Sequence, residues 1–561
     1  MCSQNKKEKV GSMEDLKRDS ISCDNGNLLS DWKRINSAVV GFFTLLIIAG
    51  VPVIFHDYYF DILAFKYHYY CAAVITMVVV LVIVAIIFLN RDNREYGGRN
   101  KASIIKRFSV KSLSAADWAM LAFFMAVVVS TFQSEYFYES FWGNEGRYCG
   151  LFLTILYTIS FFIITKCLRF KQWYLDVFLA AGMIVCVIGI LHYFKIDPIG
   201  FKADLIDKDY RNFTSTIGNI NTYTSYIAIV TGMSSILFAI EKNIYRKIWY
   251  LICLVVSLFS LITGISDNAY LALLALYGLL PLYLFTNLKG FKQYVLMLAI
   301  LLSEFQLIDY VMQMFPKQVM PISGLFNVVS GYSKLLYVVL LLWGVTVALY
   351  VVDYILKKKD TDRREYNIGR FVWLALIIIV AAFVVFVLYD VNVKGNVNKY
   401  GSLSEYLYFG DDWGTHRGYI WRIGLESYQR FPLIHKIFGY GPDTFGIITK
   451  YNYYDEMVTL YGERFESAHN EYLQYFITIG VVGLLSYLSL LVVSIWKMLK
   501  GMKREPAVIA IVFSVICYGA QAFVNISVPI VAPVMLTLLM IGLSAIREEK
   551  GAFPEDTVAG D

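Results

Sequence analysis

The chain has 561 residues, of which 58% are hydrophobic and only 17% are charged, and its mean hydropathy is +0.56. These values exclude a soluble globular domain and a disordered chain, so they indicate an integral membrane protein. The formal net charge of +6 does not indicate nucleic-acid binding, because the basic residues lie in short loops between apolar segments.

Apolar segments long enough to cross roughly 30 Å of hydrocarbon recur along nearly the whole chain. We predict an all-α polytopic membrane protein with about fourteen transmembrane helices. Their predicted ranges are 35–55, 70–90, 116–133, 150–168, 175–193, 219–240, 247–265, 269–286, 293–312, 334–356, 370–391, 472–496, 507–524 and 529–546.

The distribution of Lys and Arg predicts the orientation, since cytoplasmic loops retain these residues. The most basic segments are residues 1–34, 91–115 and 357–364. Fourteen helices place these segments on one side of the membrane, together with the remaining basic loops. We therefore predict that both termini are cytoplasmic and that the other set of loops is external.

The predicted domain organisation follows from these spans. Residues 1–34 are polar and lack the apolar core of a signal peptide, so we predict a disordered cytoplasmic tail. Residues 35–391 hold helices one to eleven, 392–471 form one large external loop, 472–546 hold the last three helices, and 547–561 form a cytoplasmic tail. The eight cysteines have no paired metal spacing and predict neither a disulfide nor a metal site.

The large external loop is too long for a simple connection, and loops of this length usually have structure or function of their own. Its residues 414–430 predict a short amphipathic helix with Ile420, Trp421 and Leu425 on one side. Residues 438–445 combine Gly and Pro and predict a turn. The loop is therefore predicted to be partly helical.

The loop ends in the sequence SAHNEYLQYFITIGVVG at residues 467–483, which contains one of only six histidines in the chain. His469 is predicted to lie at the outer membrane interface. Gly480 and Gly483 fall on one face of the following helix, where another helix can approach. An isolated His in this position commonly just caps or tethers an interfacial helix. The alternative is a water-accessible catalytic imidazole.

Three further external clusters contain Arg, and they favour the catalytic alternative. They are WGNEGRYCG at 142–150, RNFTSTIGNIN at 211–221 and THR at 415–417. Arg at a membrane edge is equally typical of an interfacial anchor or a lipid-phosphate contact. Asn219 and Asn221 are also well placed to cap the helix that begins beside them.

In this order the motifs resemble the family of O-antigen ligases and lipid-linked glycan polymerases. His469 and Asn470 followed by Gly480 and Gly483 resemble the signature at the end of that family's large external loop. Four supporting matches precede it: Trp142 and Gly143 with Arg147 and Gly150; Arg211 with Gly218, Asn219 and Asn221; Arg417 with Trp421; and Gly439 with Gly441 and Pro442. The resemblance covers about residues 117–545, and the ordered set is more specific than any single motif.

One position departs from the family's pattern. Many members have an Arg just before the eighth helix, where this chain has Asp267 in the sequence GISDNA. An arginine contact at that position therefore does not transfer to this chain.

The resemblance implies an inverting, metal-independent glycosyltransferase that needs no cofactor. It transfers a glycan from a polyprenyl-pyrophosphate carrier to an acceptor hydroxyl, as a ligase or as a polymerase. His469 is the implied catalytic base, a role that typically contributes about 10²–10⁴-fold. The implied substrate-binding residues, for the pyrophosphate and the glycan, are Arg211, Arg417, Arg147, Asn219, Asn221 and Asn470. The implied structural residues are Gly218, Gly439, Gly441, Gly480 and Gly483.

The implied location is the cytoplasmic membrane, with the active site facing outside. The implied partners are the polyprenyl-pyrophosphate-linked glycan donor, a glycan, lipid or protein acceptor, membrane lipids and other polysaccharide-assembly membrane proteins, without nucleic acid.

A metal-dependent site and a transporter are the alternatives to this hypothesis. Asp57, Asp207 and Asp209 are candidate ligands for a divalent cation, but the resemblance favours no metal. A flippase for lipid-linked glycans, or another polytopic transporter, would have similar hydropathy and would contain buried ionisable residues. Glu304 and Asp309 are the few such residues in the predicted helices. The long external loop with its His favours the enzyme.

Overall fold

The computed structural model describes residues 13–98, 100–101, 109–144, 146–358 and 367–547. Within these residues the chain is almost entirely helical, and its only sheet is a two-stranded antiparallel one. The predicted all-α fold class is therefore confirmed.

The helices of the described chain range from 4 to 35 residues in length, and several of them are separated only by tight turns. The first part of the chain forms α1 (Met13–Leu45, continued by a π-helical turn Leu46–Gly50 and by Val51–Val53), α2 (Ile62–Tyr96), α3 (Ala115–Phe132), α4 (Phe137–Trp142), α5 (Leu151–Cys167), α6 (Trp173–Tyr193) and α7 (Asp207–Asn212). The strands β1 (Phe213–Thr214) and β2 (Gly218–Asn219) follow, with Phe213 opposite Asn219 and Thr214 opposite Gly218.

The middle of the chain forms α8 (Ile220–Ile240), α9 (Ile244–Ile262), α10 (Asn268–Leu284), α11 (Leu288–Met314), α12 (Leu325–Ser330), α13 (Leu335–Lys358) and α14 (Ile368–Asn392). The last part forms α15 (Ser404–Leu407), α16 (Trp413–Arg430), α17 (Leu433–Phe438), α18 (Phe445–Tyr461), α19 (Glu471–Thr478), α20 (Gly480–Gly501), α21 (Val508–Gln521) and α22 (Ala532–Ala545). Short 3₁₀ turns occupy Val110–Ser112 and Val397–Leu403.

Ten helices of the described chain are long and apolar enough to cross a membrane. They are α1 (over Leu28–Val53), α2, α3, α6, α8, α9, α11, α13 (over Leu335–Leu356), α14 and α20. The other four predicted spans coincide with the apolar helices α5, α10, α21 and α22, which have 17 or 14 residues. These are shorter than the roughly 20 residues of a typical span. The multiple spans are thus confirmed, and the total of fourteen remains a prediction.

Helix α8 forms the centre of the bundle, with 94% of its apolar window buried. It packs closely on α21: a Cβ added at Gly232 would lie 2.9 Å from the carbonyl oxygen of Phe513, and the Ser514 hydroxyl donates to the Ile229 carbonyl at 2.9 Å. Small residues permit such close packing between helices in a membrane. At the periphery, only 17% of the most apolar 18-residue stretch of α13 and 6% of that of α14 is buried, so their apolar side chains are available to lipid.

The N-terminal segment differs from its prediction. Residues 13–34, which we predicted to be disordered, lie in α1, and residues 1–12 lie outside the described residues, as do 548–561 of the predicted C-terminal tail. Leu28 and Trp32 of α1 are buried against Phe88 of α2. This contact extends the helix beyond the apolar run that sets the membrane span.

The large loop between α14 and α20 has an apolar core of its own, which includes Ile420, Ile423 and Phe445. Leu425 is 43% exposed, so the predicted face of α16 is wrong at this position. At about 100° per residue, Leu425 lies roughly 140° around the helix from Ile420, whereas Ile423 lies within one turn on the same side. The partly helical nature of the loop follows its prediction.

Polar contacts collect at the two ends of the bundle. At one end, Lys166 pairs with Asp117 at 2.6 Å. The other end carries the segments 54–61, 133–150, 194–219, 263–267, 315–334, 393–470 and 522–531. Hydrogen bonds join these segments to one another, as in the 2.9 Å bond from the Tyr59 hydroxyl to the Ser215 carbonyl. We call this second end the site end; that it faces outside remains our prediction from the basic loops.

Candidate active site

Backbone strain is concentrated at the site end. Every non-glycine residue with positive φ in the described chain lies in a site-end loop. These residues are Tyr58, Tyr148, Lys195, Ser215, Ile265, Thr415, His416, Asp443 and His469. Such conformations cost of order 1–3 kcal/mol each and cluster at functional sites. Their distribution marks this end as the candidate site independently of the sequence motifs.

His469 lies in a tight turn before α19, with φ +46°. The Asn470 side chain caps α19 by accepting the Leu473 N–H at 3.0 Å, and the Glu471 N–H donates to the Ala522 carbonyl at 2.8 Å. These contacts fix the backbone beside His469. No hydrogen bond joins its imidazole to any described residue. The ring is therefore held through its backbone and is available to a substrate.

Burial and two arginines set the proton affinity of His469. The pKa of His469 is lowered to about 3. Desolvation by burial is the largest cause of this shift, and the positive charges of Arg417 and Arg147 act in the same direction. The imidazole is therefore neutral at physiological pH, which is the form that accepts a proton. Because the charges of both arginines contribute to this pKa shift, His469 lies within electrostatic reach of Arg417 and Arg147.

Arg417 follows a left-handed turn at residues 414–416, inside α16. Its Nε donates to the Val524 carbonyl at 3.1 Å, and one terminal nitrogen donates to the Gly414 carbonyl. Burial lowers the pKa of Arg417 from its ordinary value, which is high enough that the guanidinium stays charged. Of its five N–H groups, three remain for a substrate.

Asp267, which stands where the family pattern commonly has Arg, is a counter-charge to Arg417. It accepts the Leu325 N–H at 3.1 Å and the Tyr406 hydroxyl at 3.5 Å. Burial raises the pKa of Asp267, and the charge of Arg417 opposes that shift. A carboxylate at this position attracts no phosphate, so the departure seen in the sequence changes the chemistry of this side of the site.

Arg147 lies in the loop before α5, beside the Gly–Pro turn of the large loop. Asp443 of that turn accepts the N–H of Asn144 at 2.7 Å and the N–H of Cys149 at 3.3 Å. Burial raises the pKa of Asp443 to about 6, although Arg147 acts against this shift. The Nε of Arg147 is buried without a hydrogen-bond partner among the described residues. The turn thus fixes the loop around Arg147 and leaves its guanidinium with unused donors.

The two asparagines of the 211–221 motif have structural partners. The Asn219 side chain caps α8 by accepting the Asn221 N–H at 2.9 Å, so the capping alternative is confirmed for Asn219. The Asn221 side-chain oxygen accepts from the Ser266 hydroxyl at 2.7 Å and from the Asn268 amide at 3.1 Å. These bonds tie the start of α8 to the start of α10. An orienting role for Asn219, Asn221 or Asn470 toward substrate remains a prediction.

Arg211 stands apart from the other two arginines. It is exposed at the end of α7, and no hydrogen bond joins its side chain to any described residue. Its charge is not among the causes that lower the pKa of His469. Arg147 and Arg417, but not Arg211, thus act electrostatically on His469, and substrate binding by Arg211 remains a prediction.

The loop between α21 and α22 is the part of the site that the sequence analysis missed. Its Ala522 carbonyl accepts the N–H of Glu471, and two residues later its Val524 carbonyl accepts from Arg417. Burial raises the pKa of the Glu471 carboxyl beside this contact. One short loop therefore anchors both the histidine segment and the Arg417 side chain.

The same loop continues to the other site-end segments. The Asn525 side chain donates to the Asn221 carbonyl at 2.8 Å, and the Cys149 thiol donates to the Ser527 carbonyl at 3.4 Å. The sequence did contain a signal for this loop. Asn525 and Ser527 are polar residues in a short connection between two almost entirely hydrophobic segments.

The motif glycines allow close backbone packing. Gly218, Gly439, Gly441 and Gly480 have positive φ. A Cβ at Gly439 would lie 2.1 Å from the Thr478 carbonyl oxygen, and one at Gly480 would lie 2.3 Å from the Ile437 carbonyl oxygen. Gly480 thus admits the short helix α17. The atoms nearest to a Cβ at Gly483 belong to Ile479, one turn earlier in the chain, and the role of both glycines as motif residues remains a prediction.

Two contiguous cavities lie next to these residues. The polar head cavity is lined by Arg147, Asp443, Ser467 and Gln474 among others. The apolar cavity lies between α3, α5, α20 and α22. Both share a wall that includes Pro442, Glu471 and Ser527.

Candidate metal ligands do not come together in the described part of the chain, where no group of three or more His, Cys, Asp or Glu residues could hold an ion. Asp207 and Asp209 lie in the first turn of α7, and Asp57 lies in the loop before α2. Metal independence remains a prediction.

The fold and the site together define an integral membrane protein with a polar site at one end of its helical bundle. Residues 320–488 match the family model described as O-antigen ligase (Wzy_C), so the predicted resemblance is confirmed. The match includes Arg417 and His469, and it supports a role in membrane polysaccharide biosynthesis. No curated protein matches the chain.

Proposed function

We propose that the protein is a glycosyltransferase that moves a polyprenyl-pyrophosphate-linked glycan to an acceptor hydroxyl at the outer membrane surface. The observation that carries the proposal is the neutral imidazole of His469, unpartnered within the described chain and within electrostatic reach of Arg417 and Arg147. A base beside two cations suits a reaction in which a hydroxyl loses a proton and a diphosphate leaves.

The proposed step is a single displacement. His469 takes the proton of the acceptor hydroxyl while the hydroxyl oxygen forms a bond to the anomeric carbon. The bond from that carbon to the pyrophosphate oxygen breaks, and the leaving pyrophosphate keeps the electron pair. Arg417 and Arg147 stabilise the growing negative charge by charge-assisted hydrogen bonds. Attack from the face opposite the leaving group inverts the anomeric centre.

The same electrostatics couple donor binding to the base. Besides burial, the charges of Arg417 and Arg147 lower the pKa of His469. A bound diphosphate offsets both charges and raises the pKa of the imidazole, so the base becomes stronger when the donor is present. In the proposed site, His469 therefore becomes a base strong enough to activate the acceptor hydroxyl only when the donor is bound.

The alternative remains a flippase or other transporter. Glu304 in α11 favours it, because both carboxyl oxygens are buried and have no hydrogen-bond partner within the described chain. Buried ionisable residues of this kind mark transport pathways in many membrane proteins. Asp309, in contrast, accepts from Gln313 at 2.7 Å near the end of the helix.

The test is a profile of lipid-linked and surface glycan in cells that carry wild type, a deletion, His469→Ala or the control His56→Ala at equal abundance. His56 is an exposed histidine at the same end, paired with Asp61. We expect His469→Ala to match the deletion. If only single lipid-linked repeats remain, the protein is a polymerase; long chains stranded on the carrier identify a ligase. A wild-type profile for His469→Ala would overturn the proposal and favour the transporter.

A further inference from the structure

Asp267 stands directly before α10, but its carboxyl group does not cap that helix. One oxygen accepts the Leu325 N–H at 3.1 Å, and the other accepts the Tyr406 hydroxyl in a long bond of 3.5 Å. Gly324 leaves room for the carboxyl, because a Cβ there would lie 2.6 Å from its Oδ2. The residue is exposed. A carboxylate has about four acceptor positions, so Asp267 has acceptor capacity left for a ligand.

This carboxyl belongs to the same site as His469. The Val524 carbonyl accepts from the Nε of Arg417 at 3.1 Å and from the side-chain amide of Asn268, the residue after Asp267, at 3.4 Å. The charge of Arg417 opposes the rise in pKa that burial causes at Asp267, and the same charge acts on His469. Arg417 is therefore within electrostatic reach of both the base and the carboxylate.

A second carboxylate and several aromatic rings lie on the Asp267 side of the site. Glu405 is exposed in α15, and its charge is among those that raise the pKa of Asp267. The Trp413 indole N–H donates to the Tyr406 carbonyl at 3.0 Å, and its ring lies 4.9 Å from that of Phe409, which is 48% exposed. This side thus combines hydrogen-bond acceptors with accessible aromatic surface.

Carboxylates bind ligands that donate hydrogen bonds. A sugar ring presents several hydroxyl donors, whereas a Ser, Thr or Tyr acceptor presents one, and hydrogen bonds to a charged acceptor are stronger than neutral ones. When the pyrophosphate of the donor offsets the charge of Arg417, the charges of Asp267 and Glu405 are left unbalanced within this group of three. An acidic ring would then meet like charges, which disfavour its binding.

We propose that Asp267, together with Glu405, binds the acceptor as an uncharged sugar ring and excludes rings that carry a carboxylate or a phosphate. Hydroxyls of this ring donate to Asp267, and a further hydroxyl of the same ring loses its proton to His469. That hydroxyl oxygen forms the glycosidic bond, and the pyrophosphate leaves with the electron pair. The inference rests on the proposed function and names the class of its acceptor.

The first experiment identifies the acceptor by linkage analysis of glycan from cells with the wild type or a deletion. Carboxyl groups are first reduced with deuteride, which labels acidic sugars, and the lipid-linked and surface glycans are then compared by mass spectrometry and NMR. We expect one bond that forms only with the wild type, to a ring without deuterium or phosphate. A labelled or phosphorylated ring, or a bond to Ser, Thr or Tyr, would overturn the inference.

The second experiment measures binding to the purified full chain in lipid nanodiscs. The probes are the acceptor fragment that the linkage analysis identifies, freed of any lipid, and inorganic pyrophosphate. Asp267→Asn removes the charge but keeps an oxygen for the Leu325 N–H. It should weaken binding of the fragment at least about tenfold, as expected for the loss of a charge-assisted hydrogen bond, and should leave pyrophosphate binding unchanged.

Two further variants keep this measurement decisive. Glu405→Gln, on a separate helix, should also weaken binding of the fragment if Asp267→Asn fails to fold. Asp61→Asn is the matched control: Asp61 is a partly exposed carboxylate at the same end, paired with His56 at 3.0 Å, and its loss should change neither probe. Failure of the fragment to bind the wild type, or equal binding to Asp267→Asn and Glu405→Gln, would overturn the inference.

The outcomes separate this inference from the proposed function. A glycan in which no bond depends on the protein would contradict the transferase, and this inference with it. A protein-dependent bond that His469→Ala abolishes, but that joins the glycan to an acidic ring or to a protein hydroxyl, would support the transferase and contradict only the acceptor class proposed for Asp267.

Discussion

Arg417 is held by the Val524 carbonyl, to which its Nε donates at 3.1 Å across 107 positions of sequence. The same carbonyl accepts from the Asn268 side chain at 3.4 Å, and Asn268 in turn donates to Asn221. The position of the arginine beside His469 therefore depends on two loops that lie outside the segment matched to the family.

Asn268→Ala should disturb activity more than stability. The loss of its two hydrogen bonds should cost about 1–2 kcal/mol of unfolding free energy. The Val524 loop would then shift, and a misplacement of about 1 Å in a reacting group can cost 10²-fold in rate. The measurements are glycan transfer and thermal melting. The matched control is Asn287→Ala, which removes a 2.8 Å cap to Gly290 at the opposite end and should leave transfer unchanged.

Gly480→Ala should destabilise the break between α19 and α20. Gly480 has φ +71°, and a Cβ there would lie 2.3 Å from the Ile437 carbonyl oxygen, so both backbone strain and a clash oppose the substitution. We expect a loss of at least about 2 kcal/mol in the free energy of unfolding and a loss of transfer. Gly344→Ala, in α13 with open space around it, should be neutral or stabilising by up to about 1 kcal/mol. Equal melting temperatures for the two variants would contradict the packing argument.

Asp443 should make stability depend on pH. Burial raises its pKa to about 6 in the folded protein, above the roughly 3.9 of an unfolded Asp. The folded state therefore binds the proton more tightly, and the free energy of unfolding should fall as the pH rises from about 4 to about 6, by up to about 3 kcal/mol. Asp443→Asn should remove this slope in melting experiments. A wild type whose stability rises over the same interval relative to Asp443→Asn would show that the carboxyl has the opposite shift.

His469 should remain neutral well into the acid range. With a pKa of about 3, its carbethoxylation by diethylpyrocarbonate should not decline between pH 7 and pH 5, as followed by mass spectrometry. Arg417→Gln removes one of the charges that lower this pKa, so the acid limb should move to higher pH. The exposed His56 serves as the internal reference for the reagent. A wild-type acid limb near 6.5 would contradict the proposed electrostatics.

Sequence alone predicts the helical architecture well, because long hydrophobic runs are typical of helices that lie in lipid. It predicts less well where a helix begins and ends, since tertiary contacts decide these limits. Residues 13–34 are helical, and Trp32 of this segment packs on Phe88, a contact that no local pattern indicates. Four apolar runs became helices shorter than a typical span. In α21 and α22, turns at the site end take up residues of the predicted spans, whereas α10 ends two residues early at the opposite end.

The sequence predicts those parts of the site that act through side chains. His469, Arg417 and Arg147 stand in motifs, and the structure brings them together. Arg211 stands in a motif equally well, yet its exposed side chain at the end of α7 is not among the charges that act on His469. The 522–525 loop acts mainly through backbone carbonyls, as at Ala522 and Val524, and such groups carry no residue-specific signal.

The most direct test of the account is transfer by the purified protein in liposomes, with a defined polyprenyl-pyrophosphate-linked oligosaccharide and its acceptor. The wild type and His56→Ala should release one polyprenyl pyrophosphate for each new glycosidic bond, and His469→Ala should be slower by about 10²–10⁴-fold. Transfer by His469→Ala at the wild-type rate, or movement of the intact lipid-linked glycan across the bilayer without pyrophosphate release, would contradict it.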